Sequence, residues 1–124
     1  MAGEISSERL HTLIKNLGIS PALSGYGYIA EAVRIYIEGG RLPKSITKTA
    51  YDEVAAIFGV TRWNVERCIR TAIERAFDNL SPEIIFAVFG NSVSADRGRP
   101  TNSEFIATVA EVLTSEPNNP VWRM

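Results

Sequence analysis

Residues 51–77 read YDEVAAIFGVTRWNVERCIRTAIERAF, and their pattern decides the fold. Residues 51–58 predict a short helix, Gly59-Val60-Thr61 a tight turn, and the stretch from Thr61 to about Asp78 a long helix. Two helices joined by so short a glycine-containing turn make a helix-turn-helix. In the long helix Val65, Ile69, Ala72, Ile73 and Ala76 recur at helical spacing and form one apolar stripe. At about 100° per residue, Trp63, Arg67, Arg70 and Glu74 point the opposite way. Arginine and glutamate beside an aromatic, on the outer face of a second helix, are the groups that read base edges and hold phosphates.

Outward from this core the chain keeps helical periodicity, and no stretch alternates as a strand does. A first helix is expected over residues 7–17, with Leu10, Leu13, Ile14 and Leu17 on one face and Gly18 as its stop. Pro21 and Ser24-Gly25 mark a loop. A second helix is expected from about Tyr26 to Glu38, burying Ile29, Ala32, Val33, Tyr36 and Ile37, with Gly39-Gly40 ending it. A short helical turn is expected over residues 46–50. Ser81-Pro82-Glu83 is a start signal: a hydroxyl cap, a proline at the first helical position and an acid favoured by the helix dipole. That fifth helix should end at Gly90. Thr101-Asn102-Ser103-Glu104 fits a capping box and opens the last helix, which fades near Ser115. The reading is therefore an all-α single domain of about six helices over residues 1–114. Residues 115–124, with two prolines and two asparagines, are expected to be a disordered tail.

The bulk numbers agree with one ordinary globular domain. The chain has 124 residues, 45% apolar and 22% charged, long enough to bury a core without a metal or disulfide staple. No apolar run reaches the length of a membrane span, and the start lacks a signal-peptide pattern. One cysteine, Cys68, cannot pair within the chain, which points to a reducing, cytoplasmic compartment. The net charge is −1, against indiscriminate nucleic-acid binding. Yet residues 41–75 hold seven basic and four acidic side chains, a local positive excess on an acidic body. No constellation of nucleophile, base or metal ligands exists, so an enzyme is not expected. His11 stands alone, and Gly25 and Gly27 follow no strand and lack a phosphate-loop lysine, so no metal or cofactor is expected either.

Four strings carry a resemblance: Gly25-Tyr26-Gly27-Tyr28, Ser45-Ile46-Thr47-Lys48, Val65-Glu66-Arg67 with Ile69-Arg70, and residues 100–106, PTNSEFI. In this order they make the chain resemble the C-terminal DNA-binding effector domain of the sporulation master response regulators, the stage-zero A family of endospore-forming bacteria. The likeness spans about Leu10 to Leu113. It implies an all-helical domain whose long helix enters the major groove of a promoter element. It also implies head-to-tail homodimers on tandem sites and contact with the RNA polymerase sigma subunit through the fifth helix, at Glu83, Ile84 and Phe86. Glu66 and Arg67 inherit the base-contacting role, with Arg70 and Asn64 beside them. Lys48, Arg62, Thr101, Asn102 and Ser103 fall at or near the DNA backbone. Three positions depart from the family pattern: Asn64 replaces a usual arginine, Thr71 a usual histidine, and Trp63 a usual small residue. The 124 residues include no receiver domain, as expected of either an excised domain or a standalone relative.

Each candidate has a plainer alternative. Arg67, Arg70, Glu66 and Glu74 also suit a solvated face with weak ion pairs. Trp63 suits a duplex wall, a protein interface, or a fold-back toward Tyr51. Arg97 and Arg99 suit a phosphate clasp or a bare loop. Two readings of the whole stay open: a sequence-specific transcription regulator binding double-stranded DNA, or a protein-interaction module of the same fold that modulates a full-length regulator.

Overall fold

The computed structural model describes residues 7–39, 46–90 and 99–123, with residues 46–49 as backbone alone. Among them are six α-helices, a closing 3₁₀ turn and no strand: α1 (Ser7–Asn16), α2 (Ser24–Glu38), α3 (Ile46–Phe58), α4 (Arg62–Phe77), α5 (Pro82–Phe89), α6 (Asn102–Ser115) and the turn Pro120–Arg123. The all-α expectation is met.

Helix α2 is the hub, packing against α4, α6 and α3. Its burial is wider than the single stripe expected: Tyr26, Tyr28, Ile29, Ala30, Ala32, Val33, Ile35 and Tyr36 are all buried. A helix surrounded on several sides must be apolar on several sides, which one-face periodicity understates. Helix α2 also starts two residues earlier than expected, at Ser24. Gly25, read as loop punctuation, is a helical residue at a crossing. A Cβ there would lie 2.4 Å from the Cys68 carbonyl oxygen and 2.9 Å from the Ala72 Cβ. Only glycine lets the two backbones come this close.

Helix α3 absorbs the separate turn expected over residues 46–50. No glycine or proline interrupts residues 46–58, and Ala50, Tyr51, Val54 and Ala55 are buried together. Helix α1 ends as expected at Gly18, whose φ of 89° is left-handed. Helices α5 and α6 begin on Ser81 and Thr101 caps, and the capping box of Thr101 and Glu104 is complete. A row of rings joins the last helices, Phe77–Phe89 at 5.3 Å and Phe89–Phe105 at 5.7 Å between centroids.

The expected disordered tail is a correction. Residues 116–123 fold back over α1 and α5. Val121 is fully buried, and its carbonyl accepts from Asn16 Nδ2 at 2.9 Å. Asn119 is buried too, donating to the Ala87 carbonyl at 3.0 Å and accepting from the Val121 amide at 3.0 Å. The indole N–H of Trp122 donates to the Glu116 carbonyl at 2.9 Å, and the Arg9 guanidinium stands 4.3 Å from its ring centre. Asn119, one of the two asparagines that looked like disorder, supplies hydrogen bonds through its side chain. Val121 and Trp122 supply the apolar anchor.

Candidate nucleic-acid interface

The turn between α3 and α4 is built for sharpness. Gly59 takes φ 69°, and the Val60 amide reaches back to the Ala55 carbonyl at 3.0 Å. Thr61 caps α4, its Oγ1 accepting from the Asn64 amide at 3.0 Å. Beyond the cap, Val65, Ile69, Ala72, Ile73 and Ala76 are all buried, as the periodicity predicts.

The opposite face is open. Trp63 is 72% exposed, and Arg67 and Arg70 are exposed with no hydrogen bond or ion pair to any described residue. The fold-back of Trp63 toward Tyr51 does not occur. Glu66 and Glu74 are half-buried at the edges, and Arg99 pairs with Glu74 at 3.2 Å. A cationic strip with an indole at its leading end therefore runs along α4. Apolar groups also lie open at the end of α3, where Ile57 is 55% and Phe58 44% exposed.

The remaining candidates divide. Asn64 turns back toward α2: its Oδ1 accepts from the Tyr28 hydroxyl at 3.3 Å and from the Cys68 thiol at 3.8 Å. Half-buried Cys68 packs against the core. Arg62 donates from Nε to Asp52 Oδ1 at 2.7 Å, an ion pair exposed on both sides and therefore weak. Thr101 and Ser103 are exposed at the start of α6. Asn102 is half-buried and donates from Nδ2 to the Tyr51 hydroxyl at 2.9 Å and to the Glu66 carbonyl at 3.0 Å. Those bonds bring the α6 start beside α4. The side chain of Lys48, and the whole of Arg97, lie outside the described residues.

On α5, Glu83 is exposed, Phe86 is 68% exposed, and Ile84 packs partly against the core. Sequence reasoning missed Tyr28 and Tyr51, which hold the site from behind. Burial pushes the Tyr51 phenol above its ordinary value, while the Asn102 amide and the Arg70 charge act the other way. His11 is half-buried, 2.7 Å from the Tyr26 hydroxyl and stacked on that ring, away from this face. No cluster of metal-ligating side chains exists among the described residues, and no described helix is long and apolar enough to cross a membrane.

Such a helix-turn-helix has a family. Residues 10–113 match the model of the sporulation initiation factor Spo0A C-terminal domain. The chain belongs to that family. Its members are DNA-binding domains of transcription regulation in sporulation, not enzymes. The matched span runs from within α1 to within α6, so it contains the whole of α4 and the exposed strip on it.

Proposed function

We propose that this chain is a sequence-specific transcription regulator that seats α4 in the major groove of a promoter duplex. The observation that carries the reading is the division of α4: a fully buried inner stripe behind an open face bearing Arg67 and Arg70. A guanidinium with no hydrogen bond or ion pair to a described residue is available to bind guanine O6 and N7 in a bidentate pair. Arg67 and Arg70 take that role, and Glu66 accepts from a cytosine amino group. Arg62, Lys48, Thr101 and Ser103 flank the groove and hold phosphates; Arg62 exchanges Asp52 for a phosphate when it binds. Asn64 has its carbonyl turned inward and meets bases only through its amide N–H. Two copies bind tandem sites head to tail, and α5 presents Glu83, Ile84 and Phe86 to the polymerase sigma subunit. The working compartment is the cytoplasm.

Selection from random duplexes, followed by fluorescence anisotropy on the winner, tests this reading. A preferred duplex whose affinity falls steeply with salt is the expected result, because phosphate contacts release counterions. The second reading, a protein-interaction module, draws on Trp63 and on the exposed Ile57 and Phe58 near the turn. Under it no duplex is selected, and complex formation with a full-length regulator is nearly insensitive to salt.

A further inference from the structure

We propose that Asn102 is a positioning residue that fixes the seat of α4 instead of holding a phosphate. The inference rests on the DNA-reading proposal and assigns Asn102 a different part in it. A primary amide has two N–H donors. Both have acceptors here: the Tyr51 hydroxyl at 2.9 Å and the Glu66 backbone carbonyl at 3.0 Å. The Glu66 carbonyl can only accept, so it fixes which end of the amide faces α4. What remains is Oδ1, an acceptor, and a phosphate oxygen is an acceptor as well. The side chain therefore cannot hold a phosphate without giving up one of its bonds.

The bracket also has a reason to exist. Three helices converge at it: α3 through Tyr51, α4 through Glu66, and α6 through Asn102 itself. The carbonyl it grips belongs to Glu66, immediately before Arg67 and one turn before Arg70. Gly25 on α2 meets α4 through the Cys68 carbonyl, so α4 is gripped twice within its middle turns. A carbonyl has two lone pairs, so accepting from Asn102 costs α4 none of its own ladder. The start of α6 is already served by its capping box, with the Glu104 carboxylate on the Thr101 amide at 2.8 Å. Asn102 is thus free of capping duty. Small displacements of a base-reading helix matter because bidentate contacts are geometrically strict.

The test compares Asn102→Ala, Tyr51→Phe and the double variant on the selected duplex and on a scrambled one. Tyr51 is buried, so its side chain is not placed to meet a duplex, and Tyr51→Phe keeps the ring while removing the hydroxyl that Asn102 bonds. A positioning role narrows the ratio of specific to non-specific affinity about 3- to 10-fold in Asn102→Ala, with non-specific affinity unchanged. Tyr51→Phe narrows it in the same direction, and the double variant is no worse than Asn102→Ala. In the free chain, amide hydrogen exchange over residues 66–70 speeds up in Asn102→Ala. Equal weakening on both duplexes with unchanged exchange would overturn the proposal in favour of a phosphate contact. Additive effects of the two substitutions would overturn it too. If the wild type prefers no duplex, the DNA reading is what fails; the exchange rates of the free chain still decide whether Asn102 holds α4.

Discussion

The chain has two tryptophans in opposite circumstances. Trp63 opens the outer face of α4 and is 72% exposed. Trp122, near the C-terminus, is half-buried, with its N–H on the Glu116 carbonyl and its ring under Arg9. One region presents an aromatic to the outside; the other uses an aromatic to close the fold. The difference lies in the neighbours. Around Trp122, Asn119 and Asn16 satisfy the backbone polar groups that burial would otherwise strand. On the outer face beyond Trp63, Arg67 and Arg70 make no hydrogen bond or ion pair to a described residue, and the indole stays open.

Substitutions sharpen the contrast, and the largest effect belongs to the inner face of α4. Ile69→Ala removes a fully buried side chain and is expected to cost about 2–5 kcal/mol of stability, read by chemical denaturation. Gly25→Ala strikes the same seam, since its methyl meets backbone and not a flexible side chain. A mild effect from both would show that α4 sits more loosely than its burial indicates.

The next effect separates function from stability. Arg67→Ala should lose about 1–3 kcal/mol of preference for the selected duplex over a scrambled one, with the denaturation midpoint unchanged. A fall in stability of the same size would make Arg67 a structural residue and break the comparison.

Val121→Ala is the mirror experiment. Losing two buried methyl groups should cost about 1.5 kcal/mol of stability and leave duplex affinity as it was. Stability equal to wild type would mean that the closing turn adds nothing. Thr61→Ala removes the α4 cap and should cost about 1 kcal/mol. Smallest of all is Asp52→Asn, which frees Arg62 from an exposed pair: stability moves by less than about 1 kcal/mol. Duplex affinity should rise slightly, and a drop would argue against Arg62 as a phosphate contact.

These regions also differ in how legible they are in sequence. The α4 stripe follows directly from spacing, because one buried face and one open face give a clean helical period. The caps at Ser81 and Thr101 are local hydrogen-bond patterns and are equally readable. Residues 116–123 are not, because their order comes from partners far off in the chain: Asn16, Ala87 and Arg9. The same holds inside the site. That Asn64 faces Tyr28, and that Asn102 grips Tyr51 and Glu66, depends on how α2, α3, α4 and α6 meet. Gly25 misleads for a related reason, since glycine marks both loops and close helix crossings.

The most direct test of the central claim, that DNA meets the outer face of α4, uses the two tryptophans as paired reporters. Each gives a separate indole N–H resonance in a ¹⁵N–¹H correlation spectrum, recorded as the selected duplex is added to the labelled chain. The account predicts a large shift for Trp63 and for the side chains of Arg67 and Arg70, with Trp122 unmoved. A shift confined to Trp122 and its surroundings, with Trp63 unchanged at saturation, would contradict it.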